Sequence, residues 1–346
     1  MGRGITVKHV AARAGVSAMT VSNVVNDRPG PAPATRRRVQ EAIRELGYVR
    51  DAGAHALRVG RATALGFLLE DASRLALHDP VHAALLTGMV ERARHRRLTV
   101  AVLVASPETI DEQVDLVVRE RRVGGLFLSL QGTPDRHAAL LGRLGADGVP
   151  AVVFEQTATV RGVHSVASDN EGGGRAVARH LTELGHRRIA VLTRAVPWPG
   201  GERRLAGFRE VAEAAGAELL EWRTPGWNAA AARDVARTRL PAERPTAVFA
   251  ANDVLAVGVL HAAQDAGLQV PRDLSLAGFD DLELAALLRP ALTTVRVEVA
   301  EMGEWAASAL IAALEGDATP RHAVLPASLV VRESTTRPAA RAARRR

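Results

Sequence analysis

The stretch TVKHVAARAGVSAMTVSNVVN (residues 6–26) decides how the rest of this chain is read. Thr6 can cap a first short helix, Gly15 offers a turn at positive φ, and Ser17 can cap a second helix. Val10, Val16, Val21 and Val25 supply an apolar seam between the two. Further on, TRRRVQEAIRELG (35–47) places Val39, Ile43 and Leu46 on one helical face and stops at Gly47, a C′ glycine. Helix, glycine turn, helix is the helix-turn-helix arrangement, whose second helix can enter the DNA major groove. Yet from Val16 to Asn26 no side chain is charged. A DNA-reading helix without Arg or Lys needs an explanation.

Charge around this stretch supplies part of it. Residues 1–60 hold ten Lys and Arg against four Asp and Glu, a net +6. The last ten residues, RPAARAARRR, carry +5, so the net +7 of the whole chain leaves −4 on residues 61–336. A basic head on a mildly acidic body is an electrostatic footprint for nucleic acid. The chain of 346 residues is long enough for two or three domains, and 47% hydrophobic against 24% charged residues is ordinary globular composition. Cysteine is absent, which excludes disulfides, thiolate metal sites and cysteine nucleophiles. The N-terminus has no secretory apolar run and no stretch of 18 apolar residues occurs, so the expected location is the cytoplasm, with no membrane partner.

After the head, VRDAGAHALRVGRAT (49–63) has the composition of a hinge, with Leu57 conspicuous in it. From residue 64 the pattern becomes apolar strands alternating with amphipathic helices. Strands are expected at 64–69, 99–104, 124–130, 150–155, 188–193, 246–251 and 274–279. Helices are expected near 80–96, 108–121, 135–147, 172–185, 203–216, 229–240 and 252–267. Repeated βα units make parallel sheets covered by helices, and seven strands over some 230 residues fit two lobes better than one sheet. A ligand would then sit in the cleft where strand C-termini of both lobes meet. The expected organisation is a helix-turn-helix head (1–49), a hinge (50–61), a two-lobed α/β core (62–336) and a basic, disordered tail (337–346).

Several blocks in order resemble the lactose-repressor/galactose-repressor family of bacterial transcription factors: the stretch 6–26, TRRRVQEAIRELGY, LRVGRATALGFLL, DNEGGGRAVARHLTELGHRRIAVL, RRLAGF, AANDVLAVGVLHAAQDAGLQVPRDLSLAGFDD and PALTTV. The resemblance runs from Thr6 to about Ser334. It implies an all-α helix-turn-helix head on a core like the periplasmic sugar-binding proteins, acting as a repressor. It also implies a homodimer on a near-palindromic double-stranded operator, with a small-molecule effector, a sugar or nucleoside-like metabolite, in the cleft. Carried over residue by residue, the effector set is Ser129, Glu155, Arg204, Trp227, Asn252 and Asp280. Trp198, in the loop AVPWPGG, can add a second aromatic wall. Carboxylates and Arg can take sugar hydroxyls, and an indole can stack on an apolar ring face. Asn252 and Asp280 can alternatively cap helices, and Trp227 can alternatively be core. Leu57 occupies the place of the family's minor-groove wedge, although Arg50, Asp51 and Gly53 depart from its usual hinge, and Val297 stands where a glutamine is common. His82 stands where an aromatic is common. Nucleophile-elbow, zinc-protease and P-loop motifs are absent, so neither enzyme activity nor a cofactor is expected.

The uncharged helix then divides its labour with its surroundings. Phosphate attraction falls to Arg3, Lys8, Arg13, Arg28, Arg36, Arg37 and Arg38, with Thr6, Ser17, Thr20, Ser22 and Asn26 contributing polar contacts. By the resemblance, base reading falls to Ala18, Met19 and Asn23. The first two can touch thymine methyls, and Asn23 can pair with adenine N6 and N7.

Overall fold

A computed structural model describes residues 5–25, 29–48, 63–71, 79–156, 163–317 and 319–339. The chain divides into two compact units, Met1–Arg61 and Ala62–Arg346.

In the first unit, α1 (Val7–Ala14), α2 (Ala18–Val25) and α3 (Pro33–Leu46) enclose a small core. Val10, Val21 and Val39 are fully buried in it, with Val16, Val25, Ile43 and Leu46 packed around them. Gly15 takes φ +62°, which lets α1 end and the chain reverse at once, and Gly47 ends α3 in the same left-handed conformation. Thr6 closes the start of α1 through its own amide, which donates to Nδ1 of His9 at 3.0 Å. Arg38 of α3 locks the turn: its Nη2 donates to the carbonyl of Ala14 at 2.5 Å and lies 3.3 Å from that of Gly15. Arg38, expected among the phosphate cations, thus also satisfies the orphan carbonyls at the end of α1 through Nη2.

The second unit has two lobes. The first is a six-stranded parallel sheet in the order β2-β1-β3-β4-β5-β11, built from β1 (Ala64–Glu70), β2 (Thr99–Ala105), β3 (Leu126–Ser129), β4 (Ala151–Phe154), β5 (Val163–Ser168) and β11 (His322–Leu325). Helices α4 (Pro80–Arg94), α5 (Ile110–Arg119), α6 (Pro134–Ala146) and α12 (Val299–Leu314) belong to this lobe. The second is a four-stranded parallel sheet, β7-β6-β8-β9, from β6 (Arg188–Arg194), β7 (Glu218–Thr224), β8 (Ala247–Ala250) and β9 (Ser275–Ala277). It carries α7 (Asn170–Glu183), α8 (Pro199–Ala214), α9 (Ala229–Glu243), α10 (Asp253–Asp265) and the short α11 (Glu283–Leu287). The chain passes between lobes after β5, after β10 (Thr294–Val297) and between β11 and β12 (Ala327–Val330); β10 and β12 pair antiparallel.

All seven expected strands form. The sequence reading missed β5, β7, β10, β11, β12, α11 and α12. VHSVAS and ELLEWRT carry polar residues within their runs, and the last strands are four residues long, too short for a periodic signal. The antiparallel β10–β12 pair was likewise unforeseen, since it joins segments that βα repetition does not connect. Residues 334–336 are tied into the second lobe, with Leu276 N donating to Ser334 O at 2.8 Å and Ser275 Oγ to Thr336 O at 3.0 Å. Of the tail, only residues 337–339 are described; the hinge lies outside the described residues.

Each lobe is closed by a helix pair that meets at glycine. A Cβ on Gly88 of α4 would stand 1.9 Å from the carbonyl oxygen of Ala300 in α12. One on Gly174 of α7 would stand 2.0 Å from that of Arg204 in α8. The glycines of EGGGR are thus helix-packing residues, and the backbones approach too closely for any side chain. Gly174→Ala should cost about 3 kcal/mol of stability by overpacking. Gly142→Ala, with nothing within 4 Å of the added carbon, should be neutral or stabilising by about 1 kcal/mol. Thermal unfolding of the two variants checks the contrast.

Candidate functional sites

On the head, Ser17 caps α2 by accepting the amide of Thr20 at 3.1 Å, and the two hydroxyls lie 2.9 Å apart. That cap points the start of α2 outward. Ala18 is exposed and Met19 is 69% exposed, while Thr20, Ser22 and Asn23 are half-buried. The opposite face, Val21 and Val24, is in the core. The outward face is uncharged, as the sequence requires, and cations flank it: Lys8 and Arg37 are exposed and Arg36 half-buried. Arg13 is ion-paired with Glu45 at 2.5 Å. Asn26 and Leu57 lie outside the described residues.

In the core, the carboxyl ends of the strands of both lobes border a cavity of about 390 Å³. Helices begin at these ends, and Asx side chains cap them: Asp79 accepts Val81 N, Asp169 accepts Gly172 N, Asn228 accepts Ala231 N and Asn252 accepts Leu255 N at 2.7–3.0 Å. Six of the seven expected residues, Ser129, Glu155, Trp198, Arg204, Trp227 and Asp280, line the cavity. Asn252 does not. It is buried behind the wall, where its carbonyl oxygen is spent on the α10 cap. The α10 amides need that acceptor, and Nδ2 of the same side chain is buried without a hydrogen-bond partner.

Each wall residue has a structural cause. Glu155 ends β4 with φ +59° and Asp280 follows β9 with φ +108°, two side chains in backbone conformations that favour glycine. Such strain concentrates at functional sites. The Glu155 carboxylate accepts Ser168 Oγ at 2.6 Å and also Asn170 Nδ2. Asn170 Oδ1 in turn accepts Nε and Nη2 of Arg204 at 3.1 and 2.7 Å. Arg204, expected to grip ligand, is 3% exposed and donates Nη1 to the carbonyl of Ala251. Its plane lies 3.3 Å from the Phe279 ring centroid, and Nη2 is 3.7 Å from Asp280. Three of its five N–H donors are thus used internally, and its main work is to hold the wall.

Trp198 and Trp227 meet at 6.0 Å and 81°, forming an aromatic corner. The Trp198 ring crosses the first turn of α8, where a Cβ on Gly200 or Gly201 would meet it at 2.2 or 2.4 Å. The glycines in PWPGG thus make room for that indole. Ser129 Oγ is bound by Nε2 of His82 at 3.0 Å. Across the rim, Arg194 of the second lobe donates to Gln131 Oε1 of the first at 2.7 Å, and Gly132 N donates to Pro197 O at 3.0 Å. Buried Glu70 supports this contact by accepting Gln131 N and Nε2 of His137, both at 2.9 Å. Burial pushes the Glu70 carboxyl up, but those hydrogen bonds and the Arg136 charge outweigh it and leave it below the usual range. Sequence reasoning missed Gln131, Arg194 and Glu70. No motif marks them, and only the meeting of two lobes makes them neighbours.

Burial raises the carboxyls of Glu155 and Asp280 and pushes Asp253, beneath Asp280, up to about 7, despite hydrogen bonds from Thr294 and Leu282 N. In the unfolded chain such an Asp titrates near ~4. The folded state holds the proton more tightly, so this contribution to stability is complete below about pH 4 and is lost as pH rises through 7. Unfolding free energy should therefore fall across that window, and Asp253→Asn should flatten the fall. Equal pH slopes in native and variant protein would contradict this.

Comparison with known proteins agrees with both halves. The family model for bacterial regulatory proteins of the lacI family matches residues 6–51, and that for a periplasmic binding protein-like domain matches 178–335. The HTH-type transcriptional regulator CelR of Thermobifida fusca is 32% identical over 336 residues, covering 95% of this chain and 98% of that protein. The crystal structure of the Lac repressor dimer bound to operator and the anti-inducer ONPF superposes with a TM-score of 0.85 at 28% identity, over 96% of this chain and 100% of that one. The CelR–cellobiose complex matches with a TM-score of 0.70 at 30% identity, over 95% and 99%. Among the described residues no helix is long and apolar enough to cross a membrane. This chain, with a helix-turn-helix head and a two-lobed α/β core, belongs to the LacI family of DNA-binding transcriptional regulators.

Proposed function

We propose that the protein is a repressor that binds a near-palindromic operator as a homodimer and senses a small sugar in the cleft of its core. The observation carrying the sensing half is the 390 Å³ cavity, lined by a perpendicular pair of tryptophans and by the carboxyl groups of Glu155 and Asp280 on strained backbone. Flat apolar walls with carboxylate acceptors suit a pyranose, whose ring faces are apolar and whose edge carries hydroxyl donors. The sugar-bound relative supports the same class. Ser129, Glu155, Trp198, Trp227 and Asp280 contact the effector, with Arg204 holding the wall and Asn252 the helix behind it. The Arg194–Gln131 bond joins the lobes across the cleft, so an effector that alters lobe closure alters this bond. Ligand and DNA then change each other's affinity reciprocally.

Dimerisation is supported by the exposed edge of the first lobe. Strand β2 is the outer strand of its sheet, and Val102 and Val104 on it and Val90 on α4 are all exposed. An open apolar strand edge needs a partner, and a second copy of the chain supplies one.

On DNA, Ala18, Met19 and Asn23 read bases, and Thr6, Ser17, Thr20, Ser22, Asn26 and Arg36 contact the backbone, with Leu57 of the hinge in the minor groove. Asn23→Ala should relax preference at one base pair per half-site, worth about 1–3 kcal/mol, while Arg37→Ala should weaken binding to every sequence alike. Equal losses on all sequences from both changes would refute this division.

The experiment for the sensing half is a thermal-shift screen of cellobiose, ribose and other sugars, with nucleosides as the contrasting class, followed by tryptophan fluorescence. A true effector at 100 times its dissociation constant should stabilise the folded state by about 2.7 kcal/mol. Trp227→Ala should abolish its fluorescence response. A shift with nucleosides alone would replace the sugar assignment.

A further inference from the structure

Among the described residues from 63 to 336, three exposed arginines have neither an ion pair nor a side-chain hydrogen bond: Arg97, Arg121 and Arg179. Their neighbours do not share that state. Arg94 pairs with Glu91, Arg96 with Glu315, Arg119 with Asp115 and Arg122 with Glu120. Two of the three unpaired cations occupy one place in the fold. Arg97 lies in the turn from α4 to β2 and Arg121 in the turn from α5 to β3. Those turns flank the first residues of β1, with Thr99 N donating to Thr63 O at 3.1 Å and Gly124 N to Ala64 O at 2.8 Å. Thr63 and Ala64 are where the chain enters the core from the segment that follows the head.

Both residues also have an unusual backbone. Arg97 takes φ +57° and Arg121 φ +52°, at helix ends where glycine is the favoured residue. The sequence therefore places a long cation at two turns where folding alone would favour a residue without a side chain. Strain of this kind, kept at two adjacent positions, points to use rather than packing.

We propose that Arg97 and Arg121 form a second DNA-phosphate contact on the core, separate from the helix-turn-helix head. The partner is the sugar-phosphate backbone of duplex DNA already held by the head. The connecting segment, residues 49–62, is 14 residues long, so its covalent length alone keeps the last residue of the head within about 50 Å of Thr63. This tether keeps the polyanion at high local concentration against the two cations. Guanidinium groups with no internal partner give up little to take phosphate oxygens. The contact carries no base information and adds equally to binding at every sequence.

The test uses the full chain and a 40-base-pair duplex of arbitrary sequence, with binding followed by fluorescence anisotropy across a potassium chloride series. The variant is Arg97→Gly with Arg121→Gly, because glycine suits both backbone positions and should raise the melting temperature. Each phosphate contact contributes about 0.9 to the slope of log K against log salt, so the double variant should lose up to about 1.8 per chain. It should also bind several-fold more weakly in low salt while being the more stable protein. Arg179→Ala, which removes the third free cation from α7 of the other lobe, should leave slope and affinity unchanged. An unchanged slope in the double variant overturns the proposal, even if affinity falls, because that pattern would mean an altered linker rather than lost phosphate contacts. An equal loss in Arg179→Ala also overturns it, because net charge alone would then explain the effect.

Discussion

The buried guanidinium of Arg204 is the constraint around which the effector cavity is arranged. A charge removed from water must be surrounded by acceptors, and the chain supplies them from separate segments. Asn170 at the start of α7, the carbonyl of Ala251 after β8, and Asp280 after β9 all converge on it. Phe279 covers one face. Asn170 also reaches Glu155, which closes β4 of the other lobe. One guanidinium thereby joins the ends of two sheets, and the strained conformations of Glu155 and Asp280 are held by this network.

Close helix pairing by glycine makes that convergence possible. Gly174 and Gly207 bring α7 and α8 to backbone contact in the second lobe, as Gly88 and Gly303 bring α4 and α12 together in the first. With α8 pressed on α7, Arg204 lies beside Asn170, and the opening turn of α8 leaves Trp198 folded across its glycines toward Trp227. The two lobes use the same device, and the cavity is the space left between their strand ends. The raised carboxyls of Glu155, Asp253 and Asp280 follow from burial at this junction.

Much of this was legible in the residues. The helices of the head, both glycine turns, the Ser17 cap and the seven expected strands come from local rules of capping, positive φ and periodicity, so they survive without tertiary knowledge. The cavity set was legible through the family resemblance, with five of its six residues on the wall, and Trp198, read from its loop, joins them. Asn252 went astray because a strand-to-helix Asn serves capping and ligand contact by the same geometry. Arg38 has a structural role that its charge did not suggest, since its position across the head faces the open carbonyl end of α1. The missed strands β5, β7, β10, β11 and β12 were too polar or too short to carry a readable period.

By itself the sequence determined the class of the protein: a basic three-helix head, repeated βα units, and ordered blocks that place it in one family. Those are properties of short windows, where neighbours along the chain are also neighbours in space. Tertiary structure alone decided which of the expected side chains face the cavity and which support it from behind. It paired Arg194 with Gln131 across 63 residues and buried Arg204 under Phe279. It also left Arg97 and Arg121 unpaired on either side of β1. Hydrogen bonding and burial depend on distance in space, and for these residues that distance is set by how two lobes close on each other, which no local stretch of sequence encodes.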